Sequence, residues 1–589
     1  MRWDMSGHGN VSSNLRLNVW YGLLVLICVA FIARLFYLQV IKHDFYRTQA
    51  LSDQLKEYVI PAERGIIEAY QGDKAVPLVL NEKLYTLFGD PGLISDVKLA
   101  AAKTADITAA KPADYEVLMK KRDTRYVVLT KRLSESQKDK IVALKLPGVG
   151  VQAEHYRTYP QGSLAAQILG FVNSEGKGNY GIEQALDYDF AGQPGRLKAI
   201  TDANGVPLVA SKENTQIDPV PGKKVRLTID LAMQKELESI LAKGLSRANS
   251  KAGSALIMDP YSGAIKAMAN FPTYNPAEYF KVSDQNIFAN PAVGSALEIG
   301  SSMKVLTAAA ALDLGVIKED TSYYDPNRWT LNGHPVTNIR EISGPGQRNI
   351  ADILNLSLNT GATWMLMQMG GGEINKQARE RWHNYMTEHY RLGKPTGIEQ
   401  GYEAAGYIPP PNSGFALDLA YANTSFGQAM TLTPLQMAAA LSSIVNGGTY
   451  WQPRLIDATY NAKGDKVPKT PKIVRKNVVS AQTSQALRRL MEYVVTNHNF
   501  SPKLNPNYGI GGKTGTPQIA NPAGGYYEDR FNGTYIGFVG GDVPKYVIAI
   551  VVREPRIGTY AGAGAAQPIF GDLARMLISN FNVPPKNSP

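Results

Sequence analysis

Gly300-Ser301-Ser302-Met303-Lys304-Val305-Leu306-Thr307-Ala308-Ala309-Ala310-Ala311-Leu312 sets a serine three residues ahead of a lysine, at the head of a run of small and apolar residues. The run is strongly helix-forming, and residues three apart share one helical face. A serine hydroxyl is a weak nucleophile at neutral pH unless a neighbouring base takes its proton, and a desolvated lysine with a depressed pKa can be that base. Alone the triplet decides nothing, because small-residue helices carrying a surface lysine are common. Two further triplets follow it: Ser357-Leu358-Asn359 inside an apolar stretch, and Lys513-Thr514-Gly515 with Thr516 behind it.

Apolar patterning around these triplets outlines a domain. Leu231 to Leu245 reads as an amphipathic helix, and Gly253 to Met258 with Ala264 to Ala269 as a β-hairpin turning through Asp259-Pro260-Tyr261-Ser262-Gly263. A second hairpin is expected from Thr534 to Val539 and Tyr546 to Arg553, with a last helix from about Ile569 to Asn580. Two hairpins at the ends of a helix-rich middle predict an antiparallel sheet assembled from both ends of one domain. The charged run from Asn375 to Tyr390 reads as a solvated helix. Upstream, between about Asp44 and Arg226, short strand-like runs (Tyr126 to Thr130), an Ala/Lys-rich helical piece (Val97 to Ala110) and many Gly and Pro breakers give an irregular α+β module with no catalytic constellation of its own.

At 589 residues the chain is too long for one core. A composition 44% hydrophobic and 19% charged, with 35 prolines spread along it, is that of a folded globular protein. The net charge of +11 bears on partners and not on fold, and no basic stripe with interleaved aromatics stands out, so nucleic acid is not expected as a partner. The one cysteine, Cys28, excludes an intrachain disulfide, and the seven histidines show no metal-ligand spacing. His383 and His389 read as ordinary side chains, and neither metal nor cofactor is expected.

From Val19 to Ile41 the chain runs almost unbroken through apolar residues. As a helix this rises ~34 Å, enough to cross a ~30 Å hydrocarbon core. Arg34 and Gln39 lie near its far end, where long side chains can snorkel to the interface. No small-x-small cleavage site follows, so an uncleaved anchor is expected. Arg2 and Arg16 before it are matched by Lys42 and Arg47 after it, so flanking charge leaves the orientation open.

The order Ser-x-x-Lys, Ser-x-Asn, Lys-Thr-Gly resembles the set described for penicillin-binding proteins and β-lactamases. The resemblance extends over nearly the whole chain after the anchor and is to the class B penicillin-binding proteins. It is carried by Arg64-Gly65-Ile66-Ile67, Tyr159-Pro160, Ala165 to Phe171 and Gly178 to Glu183, then by Phe426-Gly427-Gln428, Thr433 to Met437, Asn446-Gly447-Gly448 and Gly512 to Thr516. It implies an α+β fold: a β-lactamase/transpeptidase-like domain, an antiparallel sheet flanked by helices, over residues 227–583, on an irregular α+β pedestal of the penicillin-binding-protein dimerisation type at 42–226. A transmembrane helix at 19–41, a cytoplasmic tail at 1–18 and a tail at 584–589 complete it. The anchor would sit in the cell inner (cytoplasmic) membrane with the catalytic domain extracytoplasmic.

By the same resemblance Ser301 attacks the penultimate D-Ala carbonyl of a peptidoglycan stem peptide with Lys304 as base, releasing D-Ala, and an amine on a neighbouring strand resolves the acyl-enzyme. Ser357 would relay a proton between lysines, Asn359 orient Lys304 or hold a substrate amide, and Lys513 meet the donor carboxylate. Thr514 and Thr516 would bind that carboxylate too, the backbone N–H groups of Ser301 and Thr516 hold the oxyanion, and Gly515 let the backbone approach a ligand. β-Lactams are the expected inhibitors, and a membrane-embedded glycan polymerase of the shape, elongation, division and sporulation family the expected partner. The compact pedestal and short tail resemble septal members more than lateral-wall ones. Leu358 stands where Ser or Asp is frequent in the family, and Ile299 where Pro is usual, which bears on fine geometry.

Two other readings stay open on the sequence. A hydrolase of β-lactamase or D,D-carboxypeptidase type needs a base for the deacylating water, for which Glu380, four residues before Asn384, offers only a chance match on a charged face. A penicillin sensor or scaffold would keep the triplets with little turnover.

Overall fold

A computed structural model describes residues 11–200, 215–338, 344–461, 463–497 and 504–587, and the chain divides into two compact units. The first joins residues 1–62 to 192–221. Within it a helix, Val11–Phe36, runs on through one wide turn, Tyr37–Ile41, and 17–41 is long and apolar enough to cross a membrane. Trp20, Leu26, Phe31 and Ile32 on this helix are exposed, as lipid-facing side chains are. After a further helix, His43–Gln54, strand Leu55–Ile60 pairs antiparallel with Gly195–Ile200, which in turn pairs with Thr215–Ile217. Residues 192–200 and 215–221, expected in the pedestal, therefore cluster with the chain next to the anchor.

The second unit holds the rest of the pedestal and the catalytic domain. Its long strand Lys74–Gly89 pairs with Ile67–Gln71 through its first half and with Val149–Thr158 and Val127–Leu133 through its second. Val97–Thr108, capped by the Asp96 carboxylate accepting from Leu99 N at 3.0 Å, packs Ala100, Ala101 and Ala105 into the core under that sheet. Strand Val225–Asp230 runs parallel to Ile67–Gln71 and antiparallel to Ile456–Tyr460, so one sheet continues across residues 226 and 227.

A buried ionic knot fastens this region. Glu183, with no exposed surface, accepts from Arg157 at 2.7 and 2.9 Å through Oε1 and from Arg64 Nε at 2.8 Å through Oε2, while both guanidinium groups lie within 6 Å of the Phe190 ring. Removing one partner of a buried pair leaves uncompensated charge, a loss of about 3–5 kcal/mol. Glu183→Gln is therefore expected to lower the denaturant midpoint of this unit strongly, and a midpoint within error of wild type would show that the arginines find other partners.

The catalytic sheet has five strands, all antiparallel: β1 (Ala252–Met258), β2 (Ile265–Phe271), β3 (Gly509–Gly515), β4 (Gly533–Gly540) and β5 (Pro544–Arg553), in the order β2-β1-β5-β4-β3. Both expected hairpins are present, as is the sheet built from both ends. Its strands are covered on both faces, hence the unbroken run Val547 to Val552: Val547 and Ala549 face one core, Ile548, Ile550 and Val552 the other. The second core is closed by Leu231–Arg247 and Gln567–Asn580, which contribute Leu237, Leu241 and Leu245, and Phe570, Leu573 and Leu577. On the first face lies Pro434–Val445, buried along its whole length and begun by a Thr433/Gln436 capping box.

The charged run departs from expectation. Residues Lys376–Asn384 are helical and lead into a wide turn, Tyr385–His389, but Ala378, Trp382, Met386 and Tyr390 are buried in the core. Four apolar residues spaced by four make a stripe that the charges between them conceal, so the segment is half-buried and not a solvated helix. Glu380 stays on the outer side, accepting from Asn412 Nδ2 at 2.8 Å.

Candidate active site

Ser301 does not begin in an α-helix. Gly300–Met303 forms a 3₁₀ turn and the α-helix starts at Lys304, so Ser301 and Lys304 are eclipsed rather than merely on one face. Gly300 makes the turn possible: its φ is +57°, and a Cβ there would stand 2.9 Å from Pro517. The turn is clamped from behind. Gly300 N donates to Gly427 O at 3.0 Å, and Thr534 Oγ1 on β4 donates to Ile299 O at 2.7 Å. The buried Ser302 hydroxyl lies 2.9 Å from Thr534 Oγ1, pointing into the sheet and away from any ligand. Glu298 completes the clamp by accepting from Ala429 N at 2.8 Å and Tyr526 OH at 2.9 Å. Burial pushes its carboxyl up from the usual range.

The first two triplets come together directly, through Ser301, Lys304, Ser357 and Asn359. Lys304 is fully buried, and its Nζ lies 2.9 Å from Ser301 Oγ, 2.6 Å from Ser357 O, 2.8 Å from Asn359 Oδ1 and 3.2 Å from Ser357 Oγ. The two carbonyl oxygens can only accept, so they take two N–H bonds. What remains toward Ser301 is a third hydrogen if the lysine is charged, or the lone pair if it is neutral. Asn359 Nδ2 donates to Thr337 O at 3.0 Å, which turns its oxygen to the lysine. Ser357 sits in the loop between Ile350–Asn355 and Asn359–Gln368 with φ +56°, an unusual conformation for serine that aims its carbonyl at Nζ.

Lys513, on β3, is also fully buried and donates to Thr514 O at 3.1 Å and Thr514 Oγ1 at 3.3 Å. No carboxylate pairs with either lysine among the described residues. Burial pushes Lys304 well below the usual lysine range, with repulsion from Lys513 adding to it, and burial brings Lys513 down to about 7. Ser357 has no hydrogen bond to Lys513, so one leg of the expected proton relay is not formed.

A cleft of about 1040 Å³ opens over this centre, with Ser301, Ser357, Asn359, Thr514 and Thr516 on its walls. Thr514 on β3 and Thr516, just past the end of that strand, both reach it. Thr516 Oγ1 also accepts from Gly562 N at 3.0 Å. Gly515 corrects its expected role: a Cβ there would meet Thr534 Oγ1 at 2.2 Å and Ile299 O at 2.3 Å, so the missing side chain admits protein behind the nucleophile and not a ligand. Sequence reasoning missed Thr534, which looks like any strand threonine, and the hairpin Gln518–Ala520 with Tyr526–Phe531 that lends Gln518, Asp529 and Phe531 to the cleft.

A buried lysine on a serine hydroxyl, between a helical region and the edge strand of a covered antiparallel sheet, defines a serine acyltransferase architecture. Residues 253–575 match the family model described as the penicillin-binding protein transpeptidase domain, and 59–227 match the penicillin-binding protein dimerisation domain. The chain belongs to the class B penicillin-binding proteins. Penicillin-binding protein PbpB of Mycobacterium tuberculosis is 31% identical over 595 residues, covering 96% of this chain and 85% of the relative. The peptidoglycan D,D-transpeptidase FtsI of Escherichia coli is 24% identical over 576 residues, covering 95% and 91%. Among solved structures, penicillin-binding protein 3 of M. tuberculosis in complex with aztreonam superposes with a TM-score of 0.68 at 25% identity, covering 90% of this chain and 98% of the other.

Proposed function

We propose that this chain is a peptidoglycan D,D-transpeptidase acting through a Ser301 acyl-enzyme and inhibited covalently by β-lactams. The observation that carries the reading is the buried Lys304 amine, 2.9 Å from Ser301 Oγ and committed to two carbonyl acceptors, with no carboxylate among the described residues to hold its charge. In its neutral form Lys304 takes the Ser301 proton as Oγ bonds to the penultimate D-Ala carbonyl carbon. The negative oxygen collects between the backbone N–H groups of Ser301 and Thr516; a first-turn N–H such as that of Ser301 has no partner within its own helix. The peptide C–N bond then breaks, the departing D-Ala amine receives the proton, and an acceptor amine attacks the ester to restore Ser301. Lys513 with Thr514 and Thr516 meets the donor's terminal carboxylate, Ser357 acts on Lys304 alone, and Asn359 orients that lysine.

Relatives named as D,D-transpeptidases and a β-lactam complex of a similar structure support this reading. We further place the chain in the cytoplasmic membrane by its apolar helix, with the cleft on the extracytoplasmic side, in septal wall synthesis beside a membrane-embedded glycan polymerase. Residues 42–226 would serve as pedestal and 227–583 as the catalytic domain. Recovery from mild detergent without any polytopic partner, under conditions that preserve other wall-synthesis complexes, would remove the polymerase from this picture.

Intact-mass spectrometry after exposure to a β-lactam tests the chemistry. One adduct is expected to persist for many minutes, since Glu380, on the outer surface, is in no position to activate water over the ester. Clearance within seconds would make the protein a hydrolase. Supplied with a stem-peptide thioester and a D-amino acid, the untreated protein should release thiol and incorporate the acceptor repeatedly; a single stoichiometric release would make it a sensor.

A further inference from the structure

We infer that Asp529 is the point in the cleft that recognises an ammonium group on the peptide substrate, an inference that rests on the transpeptidase reading above. Lys513, beside Thr514 and with no carboxylate partner among the described residues, makes the Ser301 end of the cleft suited to an anionic terminus. Asp529 is the one carboxylate on the cleft walls among the described residues. It is exposed and has neither a hydrogen bond nor an ion pair within the described chain. Its neighbour Arg530 attracts it without a direct contact, the guanidinium being hydrogen-bonded to Glu554 at 2.7 to 3.0 Å.

The backbone that carries this carboxylate is also anchored. It lies on strand Tyr526–Phe531, whose Tyr526 hydroxyl donates to Glu298 Oε1 at 2.9 Å, two residues before the 3₁₀ turn, and Gln518 Nε2 donates to Tyr527 O at 3.3 Å. The same strand is thus tied to the segment that carries the nucleophile. Cross-linking needs an amine on the acceptor strand. If donor and acceptor are copies of one stem peptide, the donor carries the same diamino residue. Either ammonium could be the group that Asp529 meets, and the cleft then has an anion-binding end and a cation-binding wall that fix the direction in which a zwitterionic peptide lies.

The test uses the full chain in detergent and two stem-peptide thioesters that differ only in whether the diamino side chain ends in a free ammonium or its acetamide. In wild type the ammonium donor should acylate Ser301 about fivefold faster, or the amine acceptor should half-saturate transfer from the acetylated donor at about fivefold lower concentration than in Asp529→Asn, the size expected of an exposed charge pair. The first result assigns the donor, the second the acceptor. Asp529→Glu should restore the preference, and Glu528→Gln, an exposed neighbour outside the cleft, should leave it as in wild type. Independently of any variant, salt at about 0.5 M should shrink the wild-type preference by screening. Equal rates for the two donors in wild type together with an acceptor dependence unchanged in Asp529→Asn would overturn the inference. Failure of both donors to acylate wild-type Ser301 would instead bring down the transpeptidase reading, and this inference with it.

Discussion

Ser301→Ala should form no β-lactam adduct at any concentration or time, whereas Ser302→Ala should be labelled at close to the wild-type rate. Adjacent serines at the head of a lysine-bearing helix are easily confused, and geometry separates them. Ser301 Oγ faces Lys304 Nζ and the cleft, while Ser302 Oγ is buried against Thr534 on β4. Losing the Ser302 hydroxyl removes a buried hydrogen bond, worth about 1 kcal/mol, from the clamp behind the nucleophile without removing an attacking atom. A lower melting temperature with intact labelling is the expected signature. A persistent adduct in Ser301→Ala would move the nucleophile elsewhere.

Lys304→Arg should lose about a thousandfold in acylation rate while keeping the positive charge, because guanidinium does not give up its proton at accessible pH and general-base catalysis contributes about 10²- to 10⁴-fold. The pH profile of the wild type carries the same information with a sign. Acylation needs Lys304 neutral, so it rises as pH climbs through that lysine's lowered pKa. Binding of a carboxylate-ended donor needs Lys513 charged, so in the free enzyme it falls as pH passes about 7. The second-order rate should therefore be bell-shaped, and in the rate at saturating donor the falling limb should move upward because the bound carboxylate stabilises charged Lys513. The two lysines repel, so the limbs belong to the pair. Wild-type rates in Lys304→Arg would remove Lys304 as base, and a rate still rising toward pH 10 would overturn its lowered pKa and the need for a charged Lys513.

Much of this site was legible because its parts are short and local: Ser301 with Lys304, Ser357 with Asn359, and Lys513 to Thr516 each span no more than four residues. The strands β1, β4 and β5 were legible because burial on both faces leaves long apolar runs. β3 was not read as a strand, since four of its seven residues are glycine, a composition that weakens β-propensity. The reason lies across the sheet, where the rings of Tyr535 and Phe538 occupy the space that side chains at 511 and 512 would need. The pairing of Leu55–Ile60 with Gly195–Ile200 was equally hidden, being a contact between segments 135 or more residues apart with no mark in either. The Asn375–Tyr390 run misled because its buried stripe is one residue in four. The hairpin that brings Asp529 to the cleft has polar strands without alternation, and pattern reading passes over such segments.

The strand order β2-β1-β5-β4-β3 puts the last strand of the chain in the middle of the sheet. During synthesis, then, the hairpin at residues 252–271 and the pair at 509–540 have no edge to join until residues 544–553 have been made. Contacts of such long sequence separation form slowly. Thr534, which holds the turn of Ser301, reaches it only after that closure. A nascent chain stalled before residue 544 should thus be unreactive toward β-lactams even though Ser301, Lys304, Ser357 and Lys513 have all been made.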